Sequence, residues 1–421
     1  MKVLWFANTP CGAAEILSPE MNLGGWLRSL EEQLVQREGI ELSVCFYWKE
    51  DIPPFKHKGT SYYPVHRSIY YYIANRIFNY TEDDKNIKEL LKVIGEVAPD
   101  VIHIHGTEEN FGLIQAFTQV PVMISLQGIL SPYAEKYFSG IPAISAFLFE
   151  GLKKKILFNS ELLLAKRIKR NAVRERKILS QARNVFGRTN WDKRISGILA
   201  PNAKYFVNNE ILRKSFYKNQ WNKSEFSDPL QIVTIMSSGL YKGLETIIKT
   251  AGVLNEYNNL NFTWTIIGQK ETDIFPKIVK RWLKADYKKL NINFVGSKNE
   301  SQIVDILIKS DIYCQVSHIE NSPNSVCEAM LLGMPIIASF AGGTDSMLKN
   351  QSEGILIQDG DPYSYAGTIV SLINDPANIF QFARKAQEKA HKRHDPVEIV
   401  NSLILTYNEV MDKANNLQNN F

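Results

Sequence analysis

Short apolar runs alternate with amphipathic stretches along the chain, and they form two series. The first covers residues 2–7, 40–47, 99–106, 120–125, 184–188 and 203–207, and the second covers residues 230–236, 262–267, 292–295, 312–316 and 336–338. Stretches between them, such as 85–97, 191–199 and 301–309, have apolar residues at helical spacing. Repeated strand–helix units of this kind predict an α/β protein with doubly wound parallel sheets.

A polar segment rich in Asn, Ser and Lys, residues 216–229, separates the two series and is typical of a linker. The length of 421 residues suits two domains. We therefore predict an N-terminal Rossmann-like domain at 1–222 and a C-terminal one at 223–395. The amphipathic stretch 396–421 is expected to form a last helix that packs back on the N-terminal domain.

Residues 317–345 join a polar loop to a helix and then to a short buried strand. Asn324 and Ser325 are suited to cap the helix, whose first amides and positive end can hold an anion. Glu320 precedes the helix and Glu328 lies inside it. At this point an ordinary helix–strand unit with solvated acids is an equally good interpretation.

The composition is that of a folded protein in a reducing compartment. Hydrophobic residues make up 44% of the chain and charged residues 22%. The four cysteines show neither close pairing nor metal-ligand spacing. The N-terminus starts as a strand rather than a signal peptide, and no run approaches the roughly 18 apolar residues that span a bilayer. We expect a cytoplasmic protein.

The net charge of +5 is mild, but basic residues concentrate in 153–183. Eleven Lys or Arg residues stand there against Glu161 and Glu175, interleaved with Leu and Ile. Such a pattern fits a helix lying on an anionic membrane surface, on the inner face of the plasma membrane. A solvated basic face above the protein's own core is the alternative. No nucleic-acid-binding motif accompanies the charge, so a nucleic-acid partner is not expected.

In the first half, a loop with Gly24 and Gly25 connects the first strand to a helix. Strand, glycine loop and helix in that order can bring backbone amides close to a phosphate. The pattern lacks the G-x-G-x-x-G spacing of dinucleotide sites, and a simple turn is the alternative.

Polar residues also follow two apolar strands of the first half. His105, Thr107 and Glu108 follow one strand, and Gln127 follows the next. Ligands of parallel sheets sit beyond the carboxyl ends of the strands, so these side chains are cleft candidates. His105 is either a proton carrier, a neutral donor to a hydroxyl, or a structural residue. His103 is expected to point the other way.

Several motifs of the second half resemble those of the family 4 retaining glycosyltransferases, which have the GT-B fold. They are, in order, Lys242-Gly243, Glu320-Asn321-Ser322-Pro323, Glu328-Ala329-Met330, Gly333-Met334-Pro335 and Gly342-Gly343. The Pro-Asp-hydrophobic-His run in 99–106 is a weaker match. The resemblance implies two Rossmann-like domains facing across a cleft, with a nucleotide-sugar donor on the second and an acceptor on the first.

By this resemblance, Lys242 neutralises the diphosphate leaving group, and Glu328 accepts bonds from the ribose hydroxyls. Glu320 faces the donor sugar, so Glu320, Lys242 and His105 are the catalytic candidates. Other donor contacts are expected from Gly24, Gly25, Arg188, Gly268, Gly296, Asn321, Ser322, Asn324, Ser325 and Val326. Acceptor contacts are expected from Thr107, Glu108 and Gln127.

The sequence departs from the family pattern at two positions. The arginine that usually precedes the Lys-Gly pair is absent, and Arg188 is the candidate to replace it as the second phosphate cation. The usual cleft histidine is replaced by Gln127, which cannot carry a proton, and His105 is the candidate to take part of that role.

The resemblance implies metal-independent transfer with retention of configuration, and no cofactor is expected. We predict a retaining glycosyltransferase that extends a cell-surface polysaccharide (capsule, O-antigen or exopolysaccharide) on a glycan or lipid-linked acceptor. The alternatives are a nucleotide-sugar epimerase or phosphorylase of the same fold, and a non-catalytic glycosyltransferase-like partner subunit.

Overall fold

The computed structural model describes residues 1–18, 25–78, 83–256 and 260–418. Two compact α/β units emerge from the contacts within the chain. The first unit contains Met1–Ser131, Lys166–Ile211 and His394–Phe421, and the second contains Pro132–Ala165 and Leu212–Arg393.

The strands follow the predicted series closely. They are β1 (Lys2–Ala7), β2 (Glu41–Trp48), β3 (Phe55–His57), β4 (Thr60–His66), β5 (Val101–His105), β6 (Val122–Ser125), β7 (Asn184–Gly187), β8 (Lys204–Val207), β9 (Leu230–Ile235), β10 (Phe262–Ile267), β11 (Ile292–Gly296), β12 (Ile312–Gln315), β13 (Ile336–Phe340) and β14 (Ile355–Gln358).

Helices connect most of these strands. They are α1 (Ala14–Leu17), α2 (Gly25–Leu34), α3 (Ile69–Phe78), α4 (Asp83–Val97), α5 (Leu130–Lys136), α6 (Ala143–Phe149), α7 (Leu152–Ile156), α8 (Glu161–Ser180), α9 (Asn190–Leu199), α10 (Lys214–Lys218), α11 (Leu244–Glu256), α12 (Ile274–Leu283), α13 (Glu300–Lys309), α14 (Asn324–Leu332), α15 (Thr344–Met347), α16 (Pro362–Asn374), α17 (Ala377–Arg393) and α18 (Pro396–Gln418). Three short 3₁₀ turns also occur in the described residues.

The sheet of the first unit has the strand order β3-β4-β2-β1-β5-β6-β7-β8 in the part of the chain that the structure describes. Strand β1 shows why it lies at the centre. Leu4 and Phe6 enter the core on one face, while Val3, Trp5 and Ala7 enter the core on the other. Side chains alternate along a strand, so a strand buried on both faces has to be continuously apolar.

The edge of this sheet differs from the prediction of a purely parallel arrangement. Strands β3 and β4 pair antiparallel, with Phe55 opposite Tyr62. They form a hairpin in a Tyr- and Pro-rich segment whose pattern had no clear period. Antiparallel edge strands on an otherwise parallel sheet are common.

The sheet of the second unit has the order β11-β10-β9-β12-β13-β14 within the described residues, and the pairs within it are parallel. Along the chain, the strands add outward from β9 in one direction and then from β12 in the other. The chain therefore leads away in opposite directions from the adjacent strands β9 and β12. The ends of these two strands form the divergence point of the sheet, which is where ligands bind to doubly wound sheets.

The linker prediction for residues 216–229 is wrong. Phe216 and Trp221 are both buried in the core of the second unit. The Trp221 indole also donates to the Ser310 carbonyl over 2.7 Å. These two aromatic anchors explain why the second unit begins at Leu212 rather than at residue 223.

A second departure is that Pro132–Ala165 packs with the second unit, although it lies between strands of the first. Tyr133 packs edge-on against Tyr241, with ring centroids 5.2 Å apart. The Arg281 guanidinium donates to the Phe149 carbonyl over 3.0 Å. The bond from Arg281 joins α12 to α6.

Helix α18 packs into the first unit. Its Tyr407 side chain is fully buried, and the hydroxyl accepts a bond from the Trp5 indole over 3.1 Å. Among the helices of the described ranges, none is long and apolar enough to cross a membrane.

Candidate functional site

The loops after β9 and β12 meet at the divergence point of the second sheet. The Lys242 Nζ lies 2.6 Å from Glu320 Oε1, and the two side chains are 16% and 12% exposed. The His318 amide donates to the Tyr241 carbonyl over 2.8 Å, which ties the two loops together. Burial works against the charged ammonium, but the Glu320 carboxylate outweighs it and raises the pKa of Lys242. Lys242 is thus a charged, nearly buried cation at the edge where a ligand is expected.

Gly342 fixes the backbone of Glu320 from the other side. Its φ is +57°, and a Cβ built on it would lie only 1.8 Å from the Glu320 carbonyl oxygen. The amide of the next residue, Gly343, donates to that same oxygen over 2.9 Å. A residue with a side chain at 342 would push Glu320 away, so the Gly-Gly motif serves to position this carboxylate.

Helix α14 starts at Asn324, and Pro323 occupies the N-cap position without any side-chain cap. The prediction that Asn324 and Ser325 cap the helix is therefore wrong, because both already lie in its first turn. The Val326 amide donates to the Pro323 carbonyl over 2.9 Å. Of the donor candidates Asn324, Ser325 and Val326 at the start of this helix, Val326 therefore has its amide already engaged within the helix.

Glu328 is buried, and Arg213 binds both of its carboxylate oxygens. Arg213 Nε donates to Oε1 and Nη2 donates to Oε2, each over 2.7 Å. Burial raises the pKa of Glu328, and the two bonds from Arg213 oppose that rise without cancelling it. Each carboxylate oxygen has a second lone pair, so Glu328 keeps the capacity to accept further hydrogen bonds.

Sequence reasoning missed Arg213. It precedes α10, inside a region that seemed to lead into a linker, and is 115 positions from Glu328. The available signal was indirect: a carboxylate predicted inside a buried helix needs a cation. The sequence offers too many Lys and Arg residues to choose between them.

The remaining donor candidates of the second unit lie at the same edge of its sheet. Gly268 follows β10, and Gly296 is the last residue of the neighbouring strand β11. The Gly268 amide donates to the Gly296 carbonyl over 2.9 Å. Asn321 is 1% exposed, and the Ser322 hydroxyl lies 3.4 Å from Met347 Sδ. Asn321 and Ser322 therefore belong to the packed wall beside Glu320.

In the first unit, the loops after β1 and β5 come together in the same manner. The Asn8 amide group donates to Glu108 over 2.9 Å. Burial raises the pKa of Glu108 to about 7, and the neighbouring Glu175 adds to that rise. Thr107 donates to Glu175 over 2.6 Å and is 1% exposed, so its hydroxyl is used inside the unit. Gln127 follows β6 with a half-buried side chain.

His105 is fully buried and lies among aromatic rings. Its ring centroid is 4.5 Å from that of Trp5 and 3.9 Å from that of His103. The expectation that His103 points the other way is wrong, because residues two apart on a strand share a face. Burial, and then the charges of His103 and Arg188, hold the pKa of His105 well below its ordinary value. These contacts favour the structural alternative over a proton carrier.

Arg188 is 7% exposed and already has partners. Its guanidinium lies 4.1 Å above the Trp26 ring, and its Nε is 3.6 Å from Glu210 Oε2. The structure therefore does not support Arg188 as a cation that is available to bind a phosphate. Gly25 begins α2 beside Trp26, whereas Gly24 lies outside the described residues.

Comparison with known proteins finds similarity to glycosyltransferases in part of the chain. Residues 216–393 match the family model described as glycosyl transferases group 1. Over 167 residues, the chain is 25% identical to the amylovoran biosynthesis glycosyltransferase AmsK of Erwinia amylovora, covering 38% of this chain and 40% of that protein. Over 87 residues, it is 31% identical to an Escherichia coli UDP-Gal:alpha-D-GlcNAc-diphosphoundecaprenol alpha-1,3-galactosyltransferase, covering 21% of this chain and 22% of that protein. The chain thus spans less than half the length of these curated relatives.

Solved structures match over nearly the whole chain. Sucrose-phosphate synthase from Thermosynechococcus elongatus superposes with a TM-score of 0.71 at 12% identity, covering 98% of this chain and 100% of that one. Anabaena Alr3699/HepE in complex with UDP superposes with a TM-score of 0.63 at 16% identity, covering 97% and 100%. These likenesses confirm the predicted GT-B fold class, and the family match and the relatives support a glycosyltransferase.

Proposed function

We propose that the chain is a retaining glycosyltransferase that moves a sugar from a nucleotide-sugar donor to a glycan or lipid-linked glycan, in the synthesis of a cell-surface polysaccharide. The observation that carries the proposal is the Lys242–Glu320 pair at the divergence point of the second sheet. A nearly buried cation suits the diphosphate of a nucleotide sugar, and the carboxylate beside it suits the hydroxyls of the sugar.

The pair acts by exchange of partners. In the structure, the Lys242 ammonium and the Glu320 carboxylate neutralise each other. A diphosphate offers Lys242 more negative charge, and charge on the leaving oxygen grows as the glycosidic bond breaks. Lys242 therefore stabilises the transition state more than the ground state. Glu320, released from Lys242, accepts bonds from hydroxyls of the donor sugar.

Glu328 supplies the second half of donor recognition. The two parallel bonds from Arg213 favour the ionised carboxylate and hold it in one orientation. Neighbouring ribose hydroxyls can then donate to the lone pairs that Arg213 leaves available. The relative that uses UDP-Gal and the fold neighbour with bound UDP make UDP the probe to use first. The site needs no metal in this scheme, because Lys242 supplies the positive charge.

A lipid-linked acceptor would bring the protein to a membrane. The start of the basic segment has an apolar surface suited to membrane contact, because Leu152 and Ile156 are 70% and 64% exposed beside Lys153. Ile144 and Leu148 extend this apolar stripe at four-residue spacing on α6. We include peripheral binding to the inner face of the plasma membrane in the proposal. Leu152→Ser/Ile156→Ser should reduce sedimentation with anionic phosphatidylglycerol vesicles, and equal sedimentation would refute this contact.

The donor assignment is tested with Lys242→Met, which keeps the stem and removes the charge. Loss of a charge-assisted bond should weaken UDP binding at least tenfold in calorimetry, at about 1.4 kcal/mol per tenfold. Lys280→Met is the control, since Lys280 pairs with Glu271 at the surface of the same unit. Unchanged UDP affinity in Lys242→Met would refute the phosphate role.

A further inference from the structure

Three contacts join the segment that follows β9, including the first turn of α11, to the loop after β12. Two were described above: the Tyr241–His318 backbone bond and the Lys242–Glu320 pair. The third links His318 Nε2 to Glu245 Oε1 over 2.6 Å. The proposed donor recognition makes no use of this contact. Yet His318 is two residues from Glu320 in the sequence, and Glu245 is three residues from Lys242.

His318 is 4% exposed and has a carboxylate at each ring nitrogen. Nε2 faces Glu245 on α11, and Nδ1 lies 3.3 Å from Asp359 Oδ2, just after β14. Lys136 of α5 also approaches Asp359, with Nζ 3.6 Å from the same oxygen. A carboxylate only accepts hydrogen bonds, so a histidine between two carboxylates carries a proton on both nitrogens. The two carboxylates are then matched by two cations.

The packing around this group leaves little freedom. Glu245 is 1% exposed, and a Cβ built on Gly140 would lie 2.1 Å from Glu245 Oε1 and 2.4 Å from His318 Nε2. The backbone at Gly140 therefore covers the contact from the side of Pro132–Ala165. Water has little access to compete with the imidazolium for Glu245.

We propose that His318 is a positioning residue, whose imidazolium holds the Lys242 loop against the Glu320 loop while the donor diphosphate draws Lys242 away from Glu320. The inference rests on the proposed donor site. Without the His318–Glu245 contact, that exchange would leave the two segments without either of the two charged side-chain pairs described here. With it, Lys242 can change partners while the backbone of both loops stays in place.

The proton on His318 makes this positioning depend on pH. Burial works against the imidazolium, but Glu245 and then Asp359 outweigh it and raise the pKa of His318 above its ordinary value. The stabilisation is fully present below the ordinary value of about 6.5 and is lost as the pH rises through the raised pKa in the folded state. Above it, Glu245 is left buried with a neutral partner. UDP affinity should then fall.

The test is a UDP titration by calorimetry from pH 6 to pH 9. We expect the wild-type affinity to fall at least about tenfold across this range, the size of one charged hydrogen bond. His318→Gln, which cannot titrate, should bind UDP weakly at pH 6 and lose most of that pH dependence. His391→Gln, which changes an exposed histidine of α17, should behave as wild type.

A second variant and a second measurement keep the test decisive if His318→Gln does not fold. Asp359→Asn removes one of the two carboxylates and should move the fall in affinity to lower pH. The histidine Cε1–Hε1 resonance that His318→Gln removes should titrate above pH 6.5 in the wild type. A resonance titrating below 6.5, or an unchanged pH profile in both variants, would overturn the positioning role alone. A wild-type protein that binds no UDP at any pH would overturn the donor assignment and this inference with it.

Discussion

Arg213→Met should destabilise the second unit far more than the loss of an ordinary ion pair. Methionine keeps much of the arginine stem, so the 4.8 Å contact of Arg213 with the Phe216 ring is largely replaced. What disappears is the charge opposite Glu328, whose side chain is only 5% exposed. A buried carboxylate without its cation costs about 3–5 kcal/mol.

Two further variants separate the charge from the packing. Glu328→Gln combined with Arg213→Met leaves no buried charge, and it should recover most of the loss, since replacing both partners of a buried pair is often close to neutral. Lys280→Met removes a 2.6 Å pair with Glu271 whose side chains are 43% and 51% exposed. It should cost less than about 1 kcal/mol.

Hydrogen exchange detected by mass spectrometry reports on each unit separately. Amides of α14 that exchange through unfolding of the second unit should exchange roughly two to more than three orders of magnitude faster in Arg213→Met. Amides of β1 in the first unit should not change. The effect should be larger at pH 8 than at pH 5, because protonation relieves the unpaired Glu328 as the pH falls through its raised pKa. Two outcomes would refute the reasoning. One is a double variant as unstable as Arg213→Met, and the other is an Arg213→Met variant that loses no more stability than Lys280→Met.

Two other predictions follow from the same geometry. Gly342→Ala should displace Glu320 and weaken UDP binding at least tenfold in calorimetry, since its Cβ would lie 1.8 Å from the Glu320 carbonyl oxygen. The control is Gly367→Ala, which has nothing within 4 Å of its Cβ and should leave UDP binding unchanged. Equal UDP affinity in both variants would contradict the role of Gly342. Glu108→Gln should raise the melting temperature at pH 8 but not at pH 4. In the folded state the pKa of Glu108 is raised to about 7. The stabilisation that this carboxyl group provides is therefore present below the ordinary carboxyl pKa and is lost as the pH rises through 7. A melting-temperature difference between variant and wild type that does not change with pH would argue against this role of Glu108.

The sequence predicted the parts of the site that depend on short-range pattern. The strand ends and the helix after Pro323 follow from local periodicity. The resemblance supplied the Gly-Gly motif and assigned Lys242 and Glu320 to one donor site. The 2.6 Å contact between these two side chains was not predicted. The capping residue was misplaced by one position, because Asn324 has the right chemistry but Pro323 has the extended backbone that precedes the helix.

The parts that failed depend on contacts distant in sequence. Arg213 meets Glu328 across much of the second unit, and no period in either segment encodes that meeting. Phe216 and Trp221 gave a signal of burial, but the polar residues around them dominated the interpretation of a linker. His103 and His105 were separated by an error of period, since a spacing of two keeps both on one face. Their position beside Trp5 follows at once when the period is applied correctly.

The second unit is built from two separate pieces of chain, and this has a consequence for its synthesis. Pro132–Ala165 is made before α12, to which Arg281 fastens it, has been translated. Some 118 residues separate Ala165 from Leu283, the end of α12, which takes roughly 6 to 24 s at ordinary rates of translation. During that interval Ile141 and Ala146, which are fully buried in the folded protein, lack α12 as a packing surface on the nascent chain. The segment therefore exposes apolar surface on the ribosome that the folded second unit covers.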